Sequence, residues 1–161
     1  MKTEQIKLQM ESEFEPKDSN DGFSPKELLE IKESILRELV DLLDLSGKVS
    51  NKNKLAVDIF NREKQATTAI GNGIAIPHVR TMQAKEFIIA IGRHDTGFEF
   101  DAPDNQPVKL FICMAAPPYD DSLYLKVFKS LAERLEYPGF LDRIMDAEDP
   151  HMIIRAFKEF E

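Results

Sequence analysis

The chain has 161 residues, 29 acidic and 21 basic, for a formal net charge of −8; 42% of it is hydrophobic, with 11 Phe and no Trp. A length of this order buries a sizeable core in one domain, and the acidic balance disfavours nonspecific binding to a nucleic-acid backbone. No apolar stretch approaches the roughly 20 residues of a membrane span, and the N-terminus lacks a basic-then-apolar signal pattern, so a cytoplasmic protein without direct membrane insertion is expected.

Residues 1–23 read as a mobile acidic arm. Glu4, Glu11, Glu13, Glu15, Asp18 and Asp21 oppose only Lys2, Lys7 and Lys17. Ile6, Leu8 and Met10 alternate as a short edge strand would, and 16–22 reads as linker. Residues 24–161 read as one folded domain. Its first helix opens at Ser24-Pro25-Lys26-Glu27, where serine caps, proline suits the first turn and Glu27 completes a capping box. Leu28, Ile31, Ile35, Leu39 and Leu42 continue at helical spacing until Gly47, and a second helix follows Ser50 with Leu55, Ala56, Ile59 and Phe60 on one face.

From 62 to 80 the pattern turns irregular and glycine-bearing, with a brief extended piece at Ile74-Ala75-Ile76. Residues 87–91 and 108–114 are nearly continuous apolar runs of strand length, and Gly97-Phe98-Glu99-Phe100 suggests a third, edge strand. His94 falls in a turn between them, as an exposed, solvated histidine. Runs apolar on both faces imply a sheet covered on each side by helices. Cys113, the single cysteine, lies inside such a run and reads as a buried small hydrophobe in a reducing compartment. A third helix beginning near Asp120-Asp121, a short one over 140–145 and a last one from Asp149-Pro150 complete a single α/β domain with a mixed β-sheet flanked by helices on both faces.

The chemistry concentrates in 62–78. Gly71 and Gly73 let the backbone turn and approach a ligand closely, and free N–H groups in such a turn can bind an anion. Thr67 and Thr68 add hydroxyl donors, and Arg62 offers a planar, always-charged fork suited to phosphate. Pro77 fixes the backbone before His78, whose imidazole is nucleophilic when neutral. On residue types alone, one histidine after a glycine-rich turn is more often structural than catalytic.

The full string Arg62-Glu63, Thr67-Thr68 and Ile70-Gly71-Asn72-Gly73-Ile74-Ala75-Ile76-Pro77-His78 closely resembles the active-site signature of phosphotransferase enzyme IIA domains of the mannitol/fructose type, a group that includes the nitrogen-related regulatory form. More weakly, the likeness extends over 24–160. It implies that His78 accepts a phosphoryl group from a small histidine phosphocarrier protein of the HPr kind. His78 then passes it to an enzyme IIB domain, or keeps it as a regulatory mark on a target protein. Arg62 matches the family's active-site arginine, with Thr68 and Gly73 as supporting phosphate contacts. No cofactor is implied, and the three histidines show no metal-ligand spacing. A domain without an attached IIB or membrane segment leans toward the nitrogen-related form.

Two positions depart from the family's pattern. Where a second histidine usually precedes leucine after the central strand, this chain has Tyr124-Leu125. A phenol can donate one hydrogen bond to a phosphoryl oxygen but cannot become cationic near neutrality. The alternative to a working carrier is therefore a transfer-impaired regulatory binding module of the same fold. Val79, after the active-site histidine, is β-branched where the family commonly has a small residue, which would narrow access.

Overall fold

The structure, a computed structural model, describes residues 1–14, 22–119 and 121–159. The linker expected over 16–22 therefore lies, Gly22 apart, outside the described residues, as does Asp120.

Helix α1 (Pro25–Asp44) starts as the sequence dictates: the Glu27 amide donates to Ser24 Oγ and the Ser24 amide to Glu27 Oε1. It ends before Gly47, which adopts a positive φ of 75°. Helix α2 (Lys52–Gln65) is capped by Asn51, whose Oδ1 accepts from the Lys54 amide at 3.0 Å.

The central strand is β6 (Val108–Ala116), in which only Lys109 is exposed. Its side chains alternate between two cores. Phe111, Cys113 and Ala115 join Ile35, Leu39, Leu43, Leu55 and Ile59 of α1 and α2. Leu110, Ile112 and Met114 join a second cluster with α3 (Asp121–Leu135), α4 (Pro138–Asp146) and α5 (Pro150–Glu159), through Leu131, Phe140, Ile144 and Ile153. A strand apolar at nearly every position is the sequence of a sheet covered on both faces.

Strand β5 (Ile88–Phe98) runs antiparallel to β6, pairing Ile91 with Ile112, and β1 (Ile6–Lys7) adds parallel to its outer edge at Ile6 and Ile91. On the other side of β6 lie two short parallel segments, β3 (Ile74–Ala75) and β4 (His78–Arg80), with β2 (Ala69–Gly71) antiparallel to β3. The sheet is mixed. No helix among the described residues is long and apolar enough to cross a membrane.

Three expectations need correction. The arm is not free over its first part: Ile6 and Met10 are buried, and the Met10 amide donates to Arg93 O at 2.8 Å. The exposed backbone edge of β5 explains this, since unpaired N–H and C=O groups recruit another strand. Gly97 and Phe98 do not begin a third strand but end β5, which continues through a register irregularity between Arg93 and Phe98. His94 accordingly lies within β5, half-buried with its ring 4.3 Å from that of Phe98, and its Nδ1 accepts from the Gly97 amide.

Candidate functional site

β3 and β4 are one strand interrupted at Ile76-Pro77. Proline has no N–H to give to a ladder, so the backbone groups here find other partners. The Ile76 amide donates to Thr68 O at 3.0 Å, and Pro77 O accepts from the Met114 amide at 2.9 Å. Ile76 O, released from the ladder, lies 2.7 Å from Nδ1 of His78. A carbonyl oxygen can only accept, so Nδ1 carries the hydrogen and Nε2 is left with the nucleophilic lone pair.

Strand alternation places His78 and Arg80 on the α3 face and Val79 on the opposite one. Val79 packs into the α1–α2 core, although it also borders the cleft beside His78. The imidazole is half-buried, edge-on to Phe128 at 4.7 Å between ring centroids and 6.1 Å from Tyr124. Burial pushes the His78 pKa below its ordinary 6.5; the Ile76 carbonyl opposes this, the positive charge of Arg62 reinforces it and Glu63 opposes it. The ring is thereby kept neutral.

His78 opens on a shallow cleft of about 800 Å³, bordered by Asp58, Arg62, Arg80, Pro118 and Tyr124. Arg62, in the last turn of α2, donates from Nη1 to Ala66 O at 3.0 Å, its single hydrogen bond among the described residues. The rest of the fork is available to an anion. Tyr124, in the first turn of α3, is 8% exposed. Burial raises its phenol pKa, against the pull of Arg80 and Arg62, so it remains a neutral donor. The guanidinium of Arg80 stacks over the Tyr124 ring, 5.5 Å from its centroid.

The fold thus gathers Arg62, His78 and Tyr124, but it does not bring Thr68 or Gly73 to the imidazole. The Thr68 hydroxyl donates to Glu63 Oε2 at 2.6 Å and its amide to Glu63 Oε1 at 3.0 Å. The Thr67 hydroxyl donates to Phe100 O. Gly73 O accepts from the Lys109 and Leu110 amides, whereas His78 pairs with Met114; five strand residues separate Gly73 from His78, roughly 16 Å. The glycine turn does hold an anion, but an internal one: the Asn72 amide donates to Asp104 Oδ2 at 3.0 Å. Gly71, Asn72 and Gly73 all have positive φ there, which explains the glycines without a ligand.

Sequence reasoning passed over Arg80 and the buried Lys32–Glu63 pair. The signal for Arg80 was available, since a residue two along a strand from a reactive histidine shares its face. The pair had no local signal, because its members lie 31 residues apart. No cluster of His, Cys, Asp or Glu among the described residues is arranged to hold a metal. A second cavity of about 570 Å³ between α3 and α5 is mainly apolar and offers no imidazole.

Residues 21–160 match the family described as phosphoenolpyruvate-dependent sugar phosphotransferase system, EIIA 2. The chain is 33% identical over 130 residues to the fructose-specific EIIABC component of Bacillus subtilis, covering 81% of this chain but only 20% of the length of that relative. It is 29% identical over 122 residues to the fructose-specific EIIA component of Haloferax volcanii, covering 76% of this chain and 79% of that one. Among solved structures, nitrogen regulatory protein IIA-Ntr from Neisseria meningitidis superposes with a TM-score of 0.75 at 25% identity, over 96% of this chain and 94% of its own. The Escherichia coli complex of enzyme IIA mannitol with phosphorylated enzyme IIB mannitol matches in fold, with a TM-score of 0.74 at 18% identity over 99% and 97%.

Proposed function

This chain belongs to the EIIA 2 family of the phosphoenolpyruvate-dependent sugar phosphotransferase system, and we propose that it carries a phosphoryl group on Nε2 of His78. The observation behind this reading is the hydrogen bond from Nδ1 to Ile76 O, which leaves Nε2 as the nucleophilic nitrogen of a ring bordering an open cleft. The donor is a phosphohistidine on a small carrier protein of the HPr kind. The Nε2 lone pair attacks phosphorus, the donor's P–N bond breaks, and that electron pair returns to the donor ring. Arg62 takes two phosphoryl oxygens on its fork. Such a transfer is governed by positioning and charge more than by covalent chemistry. The acceptor is an enzyme IIB domain, in line with the solved mannitol complex, or the phosphoryl group serves as a regulatory mark, in line with the likeness to the nitrogen regulatory protein.

The test mixes the protein with phosphoenolpyruvate, enzyme I and the carrier and follows intact mass. The parent chain is expected to gain one phosphoryl group and His78→Ala none. A gain that survives His78→Ala would place the phosphoryl group elsewhere and end the reading. Tyr124 favours the other one, a binding module with impaired transfer, because its phenol cannot supply the charge of a second histidine. Under that reading the parent chain stays unmodified while Tyr124→His gains the group.

A further inference from the structure

Resting on the proposed carrier role of His78, we infer that Arg80 supplies the second positive charge of the site, with Tyr124 as the platform that holds it. A dianionic phosphoryl group moving between two imidazoles needs its oxygens neutralised on more than one side. Arg62 approaches from α2. The first turn of α3, from which the family's second histidine acts, here presents a buried neutral phenol. Yet this side of the cleft is not without a cation. Arg80 lies two residues beyond His78 on β4, on the same face, and borders the same cleft. Two strand residues span roughly 6.6 Å, which an extended arginine covers from its Cα. Its guanidinium sits on the Tyr124 ring at 5.5 Å, a stacking that an imidazole at position 124 would disfavour once protonated.

Tyrosine and arginine thereby divide what one histidine does: the ring orients and the arginine charges. When Nε2 attacks phosphorus, Arg80 donates to an oxygen facing α3 while Arg62 holds the others. The bond that forms is Nε2–P, and the P–N bond of the donor breaks with its electron pair leaving on the donor nitrogen. Arg80 is exposed and borders the cleft, so bringing its head to the oxygen does not unpack the core.

The experiment uses two phosphoryl donors. One is the phosphorylated carrier protein; the other is phosphoramidate, which releases ammonia and makes no protein interface. Uptake rates by intact mass are compared for the parent chain, Arg80→Gln, Arg80→Lys, Tyr124→His and the double variant. Arg80→Gln is expected to slow uptake from both donors roughly 10- to 100-fold, the worth of one charge-assisted hydrogen bond. Arg80→Lys should recover part of it, since the charge returns without the fork. In the Tyr124→His background the same Arg80→Gln change should cost less than about threefold, because an imidazolium now supplies the charge. Normal uptake by the parent with Arg80→Gln within about twofold of it on phosphoramidate overturns the inference alone, as does an equal loss in both backgrounds. A parent chain that takes no phosphoryl group from either donor overturns the carrier reading and this inference together.

Discussion

A single imidazole decides the pH behaviour of the site. His78 is neutral because burial, aided by Arg62, opposes its protonation more than Ile76 O and Glu63 favour it. Two consequences share one sign. Phosphoryl uptake needs the Nε2 lone pair, so its acid limb should fall below pH 6.5, the ordinary histidine value. Stability also changes there: the unfolded chain binds a proton at His78 through the window between the depressed native pKa and 6.5, so stability is full above that window and falls as pH drops through it. An NMR titration of the His78 ring checks both, and a midpoint at or above 6.5 would contradict the claim. That His78 and Arg62 share one cleft agrees with the sequence expectation, which rested on the chemistry of the two side chains themselves. Thr68 and Gly73 misled because they stand close to His78 in the sequence and their types suit phosphate. What decides is direction: Thr68 faces Glu63, and Gly73 opens toward Pro107 and Lys109.

At the scale of elements, the site rests on a polar contact beneath it. Lys32 of α1 donates to Glu63 of α2 at 2.9 Å, with side chains 5% and 1% exposed, and its ammonium lies 5.0 Å from the centroid of the Phe100 ring. Both oxygens of Glu63 hold Thr68, and Thr68 O in turn receives the Ile76 amide. One carboxylate thus joins two helices to the segment that aims Ile76 O at the imidazole. Lys32→Met removes the balancing charge and leaves Glu63 buried, an expected loss of about 3–5 kcal/mol in a denaturant titration. Adding Glu63→Gln should restore part of that, because no uncompensated charge remains. Equal stability of Lys32→Met and the double variant would show that the uncompensated carboxylate is not the source of the loss. The helices themselves were legible from capping residues and apolar spacing. This pair was not, since a lysine and a glutamate on amphipathic helices read as solvent-facing until the helices are brought together.

Across the whole molecule, Arg93 does for the assembly what Glu63 does for the site. Its Nε donates to Leu8 O, and its Nη1 to Ile144 O, Met145 O and Ala147 O at 2.8–3.0 Å. Its own carbonyl accepts from the Met10 amide. One side chain therefore fastens the N-terminal segment to the sheet and satisfies the carbonyls left open at the end of α4, where a cation also meets the negative end of the helix dipole. The segment fits closely beside it: a Cβ at Gly92 would meet Met10 Sδ at 2.6 Å, so any larger residue there would make the Met10 side chain shift. Arg93→Met keeps much of the stem's bulk but loses every one of these donors. Hydrogen bonds from charged groups are worth about 1.5–3 kcal/mol each and do not add in full, so a total loss of roughly 3 kcal/mol is expected. The loss should be uneven. Amide exchange at Met10 and the last turn of α4 should quicken more than in the centre of β6, which keeps its own ladder. Arg93→Lys should recover little, because a point charge cannot reach Leu8 O and the carbonyls of Ile144, Met145 and Ala147 at once. If Arg93→Met melts with the parent and Met10 exchanges no faster, then β1 pairing and the burial of Ile6 and Met10 hold the segment unaided.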